Sequence, residues 1–481
     1  MSKSFYWHDY ETFGIDPRSD RPAQFAGIRT DEDFNIISDP LVIYCQPADD
    51  MLPSPEACMV TGITPQLARD KGVPEAEFFK LINQEFSQPG TCVLGYNNLR
   101  FDDEVTRFGF FRNFIDPYAR EWQGGNSRWD IIDMVRVTYA LRPEGIEWPL
   151  NEEGIPSFRL EELTRVNGIS HEAAHDALSD VYATIAMARL IRERQPRLYD
   201  YLYQHRNKQW VLEQLDIRTK TPVLHTSSRY PSRIGCTTMV VPVALDPGNP
   251  NAIWVYDLRQ GPEPFMELDA RALADRIFTS YTDLEAQNLE RFPVKAVHAN
   301  RCPVLAPIKT LDDAARERLQ LDEAECLKHL EILRAWDALE TLLPEALQFS
   351  EWPEPFDPEQ SLYSGPFFSN GDRQIMQRVL LSRPEDLAQQ HFVFEDRRLP
   401  EMLFRYRARN FPNTLTQEEK ADWNEYREYR LTSDEGGANI TLSGYFKTIN
   451  QLRSEYADDS TRLDVLQSLE DYGNMLKQGL A

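Results

Sequence analysis

The feature that most constrains this chain is the alternation, over its first 195 residues, of short strand-like runs with segments of helical spacing. Residues 4–8 form an aromatic-rich run suited to a strand, and residues 24–29 and 34–45 are strand candidates around a turn at Asp31-Glu32-Asp33. Residues 55–60 and 65–69 each open with proline, which suits a first helical turn. Residues 75–86 set Phe78, Phe79, Ile82 and Phe86 at helical spacing. A compact apolar strand at 91–96 follows, then helices at 101–114, 131–141, 158–166 and 176–191. This order predicts an α/β layer architecture, a sheet covered by helices. The turn near Asp31 pairs the first strands antiparallel, so the sheet is expected to be mixed.

The character changes near residue 200. Between residues 222 and 307 the chain carries short β-rich runs at 239–245, 252–257 and 294–297, which read as a small β-rich domain. Helix is expected at 312–343, loop at 344–360, and helices at 372–381, 400–409, 417–429 and 448–476. The expected domains are therefore 1–195, 196–345 and 346–481. A hydrophobic content of 41% and an aromatic content of 11% supply several packed cores. No run approaches the roughly 20 apolar residues of a membrane span. The opening residues Met1 to Asp9 contain no apolar signal core, and the six cysteines include no C-x-x-C pair. Reduced thiols in a cytoplasmic protein are the expectation.

The net charge of −25 argues, as a bulk number, against a nucleic-acid partner. The bases are nevertheless grouped: Arg189, Arg192, Arg194, Arg197, Arg206 and Lys208 fall within twenty residues, and Arg218, Lys220, Arg229 and Arg233 follow. These read equally as solvated helix faces or as a basic channel on an acidic body.

Three short stretches carry chemistry. Asp9 and Glu11 end the first strand and share one face, while His8 and Tyr10 take the other. Two adjacent carboxylates repel, and a hard divalent ion relieves that repulsion. Asp102 falls in the first turn of a helix, where an acid can also act as a helix-dipole partner, and Asp103 and Glu104 are equally acidic neighbours. His175 stands on a loop before a helix that Asp176 can cap, and Asp180 follows in its first turns. A loop histidine titrating near neutrality suits a general base.

In combination these stretches resemble the DnaQ-like 3′→5′ exonucleases with a catalytic histidine, the DEDDh group. The runs His8 to Gly14, Gly95 to Glu104 and Ala174 to Thr184 are similar to the bacterial exonuclease I family of single-strand-specific deoxyribonucleases, and so are Gln195 to Tyr201 and Tyr406 to Pro412. The resemblance implies a ribonuclease-H-like nuclease domain, an SH3-like β-rich domain and an all-α C-terminal domain. It implies Asp9, Glu11, Asp102, His175 and Asp180 as the catalytic set. Two Mg²⁺ ions, replaceable by Mn²⁺, would be held by Asp9, Glu11 and Asp180 with help from Asp102, and His175 would be the base. The expected reaction releases 5′-mononucleotides from single-stranded DNA, in repair and recombination.

The resemblance also implies association with the acidic C-terminal tail of single-stranded-DNA-binding protein, for which Arg142 and Tyr201 are candidates. Tyr10, Thr12 and Phe13 flank the carboxylates; the two aromatics either stack on terminal bases or belong to the core. Arg100, Arg107, Arg136 and Arg142 are either phosphate contacts or ion-pair partners. The enzyme is expected to act as a monomer. Rival readings are a 3′ exoribonuclease, a proofreading subunit, and a catalytically idle single-strand-binding module.

Overall fold

The aromatic-rich stretch Ser4–Thr12, with Phe5, Tyr6, Trp7 and Tyr10, forms strand β1. The computed structural model describes residues 3–171, 176–350, 355 and 357–480. Strand β1 outruns its expected end at residue 8 because Pro22–Thr30, strand β2, is buried along its whole length and offers antiparallel partners as far as Thr12. Leu41–Tyr44, strand β3, continues the sheet antiparallel to β2. It is much shorter than the expected 34–45 run. The Asp31 carboxylate accepts from the backbone of Asp33 and Asn35, which turns the chain out of the ladder, and Phe34 packs against Phe5 and Trp7. Thr91–Gly95, strand β4, pairs parallel to β1, and Ser127–Asp130 forms strand β5. The order β3-β2-β1-β4-β5 makes a mixed sheet. Strand β5, with its charged Arg128 and Asp130, has no apolar alternation to betray it.

The C-terminal helices Leu399–Asn410, Gln417–Thr432, Leu442–Glu455 and Ser460–Gln478 form where helix was expected, with one difference. The single helix foreseen at 448–476 is two, because Asp459 caps a new helix by accepting from Arg462 N at 3.1 Å. These helices share their cores with the N-terminal sheet. Phe13, Ala23 and Leu52 are buried with Leu431, Tyr445, Leu469 and Tyr472. Phe108, Phe111 and Phe114 are buried with Leu362, Met376, Leu399 and Met402. Each such phenylalanine contributes about 2–3 kcal/mol of burial. The chain divides into two compact units: Met1–Arg128, His171–Tyr182 and Glu354–Ala481 form one, and Trp129–Ser170 with Ala183–Pro353 the other.

The second unit holds a five-stranded antiparallel sheet ordered β10-β6-β7-β8-β9, from β6 (Val223–Thr226), β7 (Thr237–Leu245), β8 (Ala252–Asp257), β9 (Val294–His298) and β10 (Val304–Pro307). Two helices, Ala270–Phe278 and Tyr281–Ala286, interrupt the stretch expected to be β-rich, each started by a side-chain cap from Asp269 or Ser280. The helix expected at 312–343 is three, capped anew at Asp312 and Asp322, and the last runs to Leu347 through Pro344. No helix among the described residues is long and apolar enough to cross a membrane.

Candidate active site

The pleat of β1 places Asp9 and Glu11 on one face and His8 and Tyr10 on the other. His8 and Tyr10 are buried against Phe25 and Phe86, and burial pushes the His8 imidazole down to about 4, so it is neutral. The strand leaves the site along a fixed path. Thr12 Oγ1 donates to Gly14 O at 2.6 Å, and Ser54 N donates to Phe13 O at 2.6 Å. A Cβ at Gly14 would lie 2.1 Å from the Asp20 carboxylate, which would have to move out of its bonds to Asp16 N and Asn439.

The helix Ala177–Arg194 brings the third carboxylate. Asp176 starts it by accepting from Ser179 N at 3.1 Å, which sets Asp180 in the first turns. Oxygen atoms of Asp9, Glu11 and Asp180 all lie within 4.8 Å of one another, the one such grouping among the described residues. Asp102 reaches the same place from the helix Asp102–Arg112, its Oδ1 accepting from Tyr10 N at 3.0 Å. Burial, then the charges of Asp102, Glu11, Asp180 and Asp176, hold the Asp9 carboxyl well above the usual range. Burial and the charges of Asp180, Asp102 and Asp176 push Glu11 up to about 8. An all-oxygen donor set whose ionised form is this disfavoured fits a divalent cation, which reverses the local electrostatics.

The three consecutive acids at 102–104 separate by partner. Asp103 is fully buried, accepting from Arg120 at 2.7 Å and Arg128 at 2.6 Å. Burial alone would raise its carboxyl, but those two guanidiniums hold it well below the usual range. Glu104 accepts from Arg107 at 3.0 Å and from Tyr363 at 2.5 Å. Asp102 is the one of the three that faces the Asp9 cluster. His171, which the sequence did not single out, contacts the Asp180 carboxylate through Nε2. Its spacing four residues before His175 was the available signal. His175 itself lies outside the described residues.

The flanking candidates divide. Tyr10 and Phe13 are buried, Tyr10 bonded to Thr106 Oγ1 at 3.0 Å and Phe13 in the core formed with the C-terminal helices, so burial favours the core reading over base stacking. Thr12 is half-buried. Arg107, expected as either a phosphate contact or an ion-pair partner, is buried and ion-paired to Glu121 at 2.8 Å and to Glu104 at 3.0 Å. Arg136 likewise pairs with Asp133 at 2.7 Å. Arg100 is exposed. In the second unit, Arg142 is partly exposed, donating to Thr310 O at 3.1 Å and to Asp312 at 3.5 Å, so an acid already answers part of its charge. Tyr201 donates to Leu305 O at 3.3 Å and lines a small pocket with His205, Trp210 and Cys302.

Three family models match the chain in succession: an exonuclease model over residues 6–188, the exonuclease I SH3-like domain over 206–348, and the exonuclease I C-terminal domain over 356–476. The chain is 48% identical over 480 residues to exodeoxyribonuclease I of Escherichia coli, covering 98% of both chains. It is 46% identical to exodeoxyribonuclease I of Haemophilus influenzae, again covering 98% of both. Among solved structures, exonuclease I of Methylocaldum szegediense superposes with a TM-score of 0.94 at 50% identity, over 98% of this chain and 99% of that one. E. coli exonuclease I in complex with a dA16 oligonucleotide gives 0.94 at 47% identity, over 98% and 100%. An ExoI/SSB-Ct complex gives 0.92 at 46% identity, over 99% and 100%.

Proposed function

The chain belongs to the exonuclease I family, and on that premise we propose that it hydrolyses single-stranded DNA from the 3′ end, releasing 5′-mononucleotides. The observation that carries this reading is the meeting of Asp9, Glu11 and Asp180 within 4.8 Å, with Asp102 alongside. An idle single-strand-binding module has no use for such mutual repulsion. The relatives' name and the solved oligonucleotide complex favour DNA over RNA.

In this reading Asp9, Glu11 and Asp180 hold divalent cations, with Asp102 assisting. Two Mg²⁺ ions, or Mn²⁺ in their place, supply charge neutralisation and water activation when bound. The protein's own contribution is placement. The β1 pleat aims Asp9 and Glu11 together, the Asp176 cap sets Asp180, and Tyr10 N fixes Asp102. His175 is assigned the proton of the attacking water. Buried Tyr10, Phe13 and Phe25 keep the floor of the site apolar and rigid.

By the same reading, Arg100 is a candidate phosphate contact. Arg142 and Tyr201 are candidates for receiving the acidic tail of single-stranded-DNA-binding protein, as an ExoI/SSB-Ct complex suggests. The Arg142–Asp312 pair would have to open for that. The functional modules are taken as 1–195, 196–345 and 346–481, in a monomer acting in the cytoplasm in DNA repair and recombination.

The test is a digestion of 5′-labelled single-stranded DNA, duplex DNA and RNA, with Mg²⁺ or with chelator. Wild type is expected to shorten single-stranded DNA in a ladder only with metal, and Asp9→Ala and His175→Ala to lose at least about 10³-fold in rate. Metal-independent digestion, or equal digestion of RNA, would defeat the reading.

A further inference from the structure

The helix that carries Asp102 begins without a cap of its own. Phe101 stands at its N-cap position, has a non-helical φ of −124° and offers no side-chain oxygen to the first backbone N–H groups. The start of the helix is instead fastened from outside. Asp103 N donates to Asn98 O at 2.8 Å, and the Asp103 carboxylate is held by Arg120 and Arg128. The remaining fastening comes from a residue 259 positions away. Tyr363 Oη donates to Glu104 Oε2 at 2.5 Å and accepts from Arg107 Nη1 at 3.0 Å, while Arg107 Nη1 also donates to Glu104 Oε1 at 3.0 Å. The three groups close a ring of hydrogen bonds over the first helical turn.

Tyr363 is well placed for this. Its neighbour Leu362 is buried in the core shared with Phe108 and Phe111, and its ring lies edge-on to Phe108 at 5.6 Å between centroids. The segment is also tied down by Arg398, which donates to Ser361 O at 2.5 Å. The hydroxyl is therefore presented to Glu104 from a fixed base. A charge-assisted bond of this kind is about twice as strong as a neutral one. Asp102 and Glu104 share the same turn, so a rotation of that turn moves the Asp102 carboxylate relative to Asp9.

We infer that Tyr363, a residue of the C-terminal segment, is a positioning residue for the nuclease site: its hydroxyl, acting through Glu104, sets the aim of Asp102. The inference rests on the nuclease reading above and adds a residue that lies outside the cluster of Asp9, Glu11 and Asp180. It makes the C-terminal segment part of the site's geometry.

The experiment uses the full-length chain and two variants, Tyr363→Phe and Leu415→Ala. The first removes the hydroxyl and keeps the ring; the second loosens a separate buried cluster, shared with Ala408 and Trp423, and leaves Tyr363, Glu104 and Phe108 in place. Steady-state digestion of single-stranded DNA, Mn²⁺ affinity by calorimetry and thermal melting are measured on each. Tyr363→Phe is expected to lower kcat about 5- to 20-fold with KM within about twofold, because misaimed catalytic groups cost turnover rather than binding. Its Mn²⁺ affinity is expected to fall at least about threefold, with Tm within about 2 °C of wild type. Leu415→Ala is expected to lower Tm further while leaving kcat and Mn²⁺ affinity unchanged well below its melting point. If Tyr363→Phe leaves either kcat or Mn²⁺ affinity within about twofold of wild type, or if Leu415→Ala reproduces both losses, the inference is overturned. A wild-type chain that releases no nucleotides would instead defeat the nuclease reading, and the two failures are told apart by that control.

Discussion

The Asp102 carboxylate accepts a hydrogen bond from the backbone N–H of Tyr10 at 3.0 Å, which joins the helix after β4 to the one strand that carries both Asp9 and Glu11. An asparagine can accept the same bond but brings no charge. Asp102→Asn is therefore expected to fold with a Tm no lower than that of wild type and to lose at least about 10²-fold in kcat. Melting and steady-state digestion check both halves. A large loss of stability would mean that Asp102 is a capping acid first.

Repulsion among Asp9, Glu11, Asp102 and Asp180 destabilises the metal-free fold. Removing one charge should relieve it. Asp9→Asn is expected to raise the Tm measured in chelator, whereas saturating Mg²⁺ should raise the Tm of wild type and leave the variant unmoved. Ligand at about 100 times its Kd stabilises by about 2.7 kcal/mol, ample for a melting scan.

A second cluster of charges holds the N-terminal and C-terminal segments of the first unit together. Arg409 donates to Asp50 at 2.8 Å and pairs with Glu359, Arg21 reaches Glu359 at 3.2 Å, and Arg430 pairs with Asp357 at 3.0 Å, the side chains all buried. Deleting one cation leaves the buried acids with too little positive charge to offset them. Arg409→Met is expected to cost about 3–5 kcal/mol, read as a lower urea midpoint.

The same cluster sets an acid limit. Burial alone would raise the Asp50 and Glu359 carboxyls, but the guanidiniums of Arg409, with Arg430 and Arg21 at Asp50 and Arg21 and Arg405 at Glu359, hold both well below the ordinary carboxylate range. A carboxyl depressed in the folded state contributes stability that is present above its unfolded pKa of about 4 and is lost as pH falls below it. Stability should therefore drop steeply from about pH 4 downward, and Asp50→Asn, less stable at pH 7, should show a shallower decline over that range. Urea midpoints at pH 7, 4 and 3 measure it.

Much of the site could be read from the chain because its parts are local. The D-x-E alternation of β1 and the Asp176 cap before Asp180 depend on neighbours in sequence, and both took the expected form. The choice of Asp102 over Asp103 and Glu104 could not be read, because it is decided by Arg120, Arg128, Arg107 and Tyr363, which come from distant stretches. For the same reason the sequence left Arg107 open between phosphate contact and ion-pair partner, and its buried pair with Glu121 comes from the fold. The run Tyr406 to Pro412 stood out only by resemblance. Its Arg409 pairs with Asp50 and its Asn410 accepts from Ala76 N, contacts more than 300 residues apart that leave no periodic trace. Helices 270–278 and 281–286 were missed because each is short, nine and six residues, and falls among β-rich runs.

Calorimetric titration of Mn²⁺ into the metal-free protein reads the central claim, that carboxylates from β1 and two separate helices make one cation site. The account predicts saturable binding to wild type that is abolished in Asp9→Ala and in Asp180→Ala alike, although the two residues are 171 positions apart. Binding that persists unchanged in either variant would contradict it.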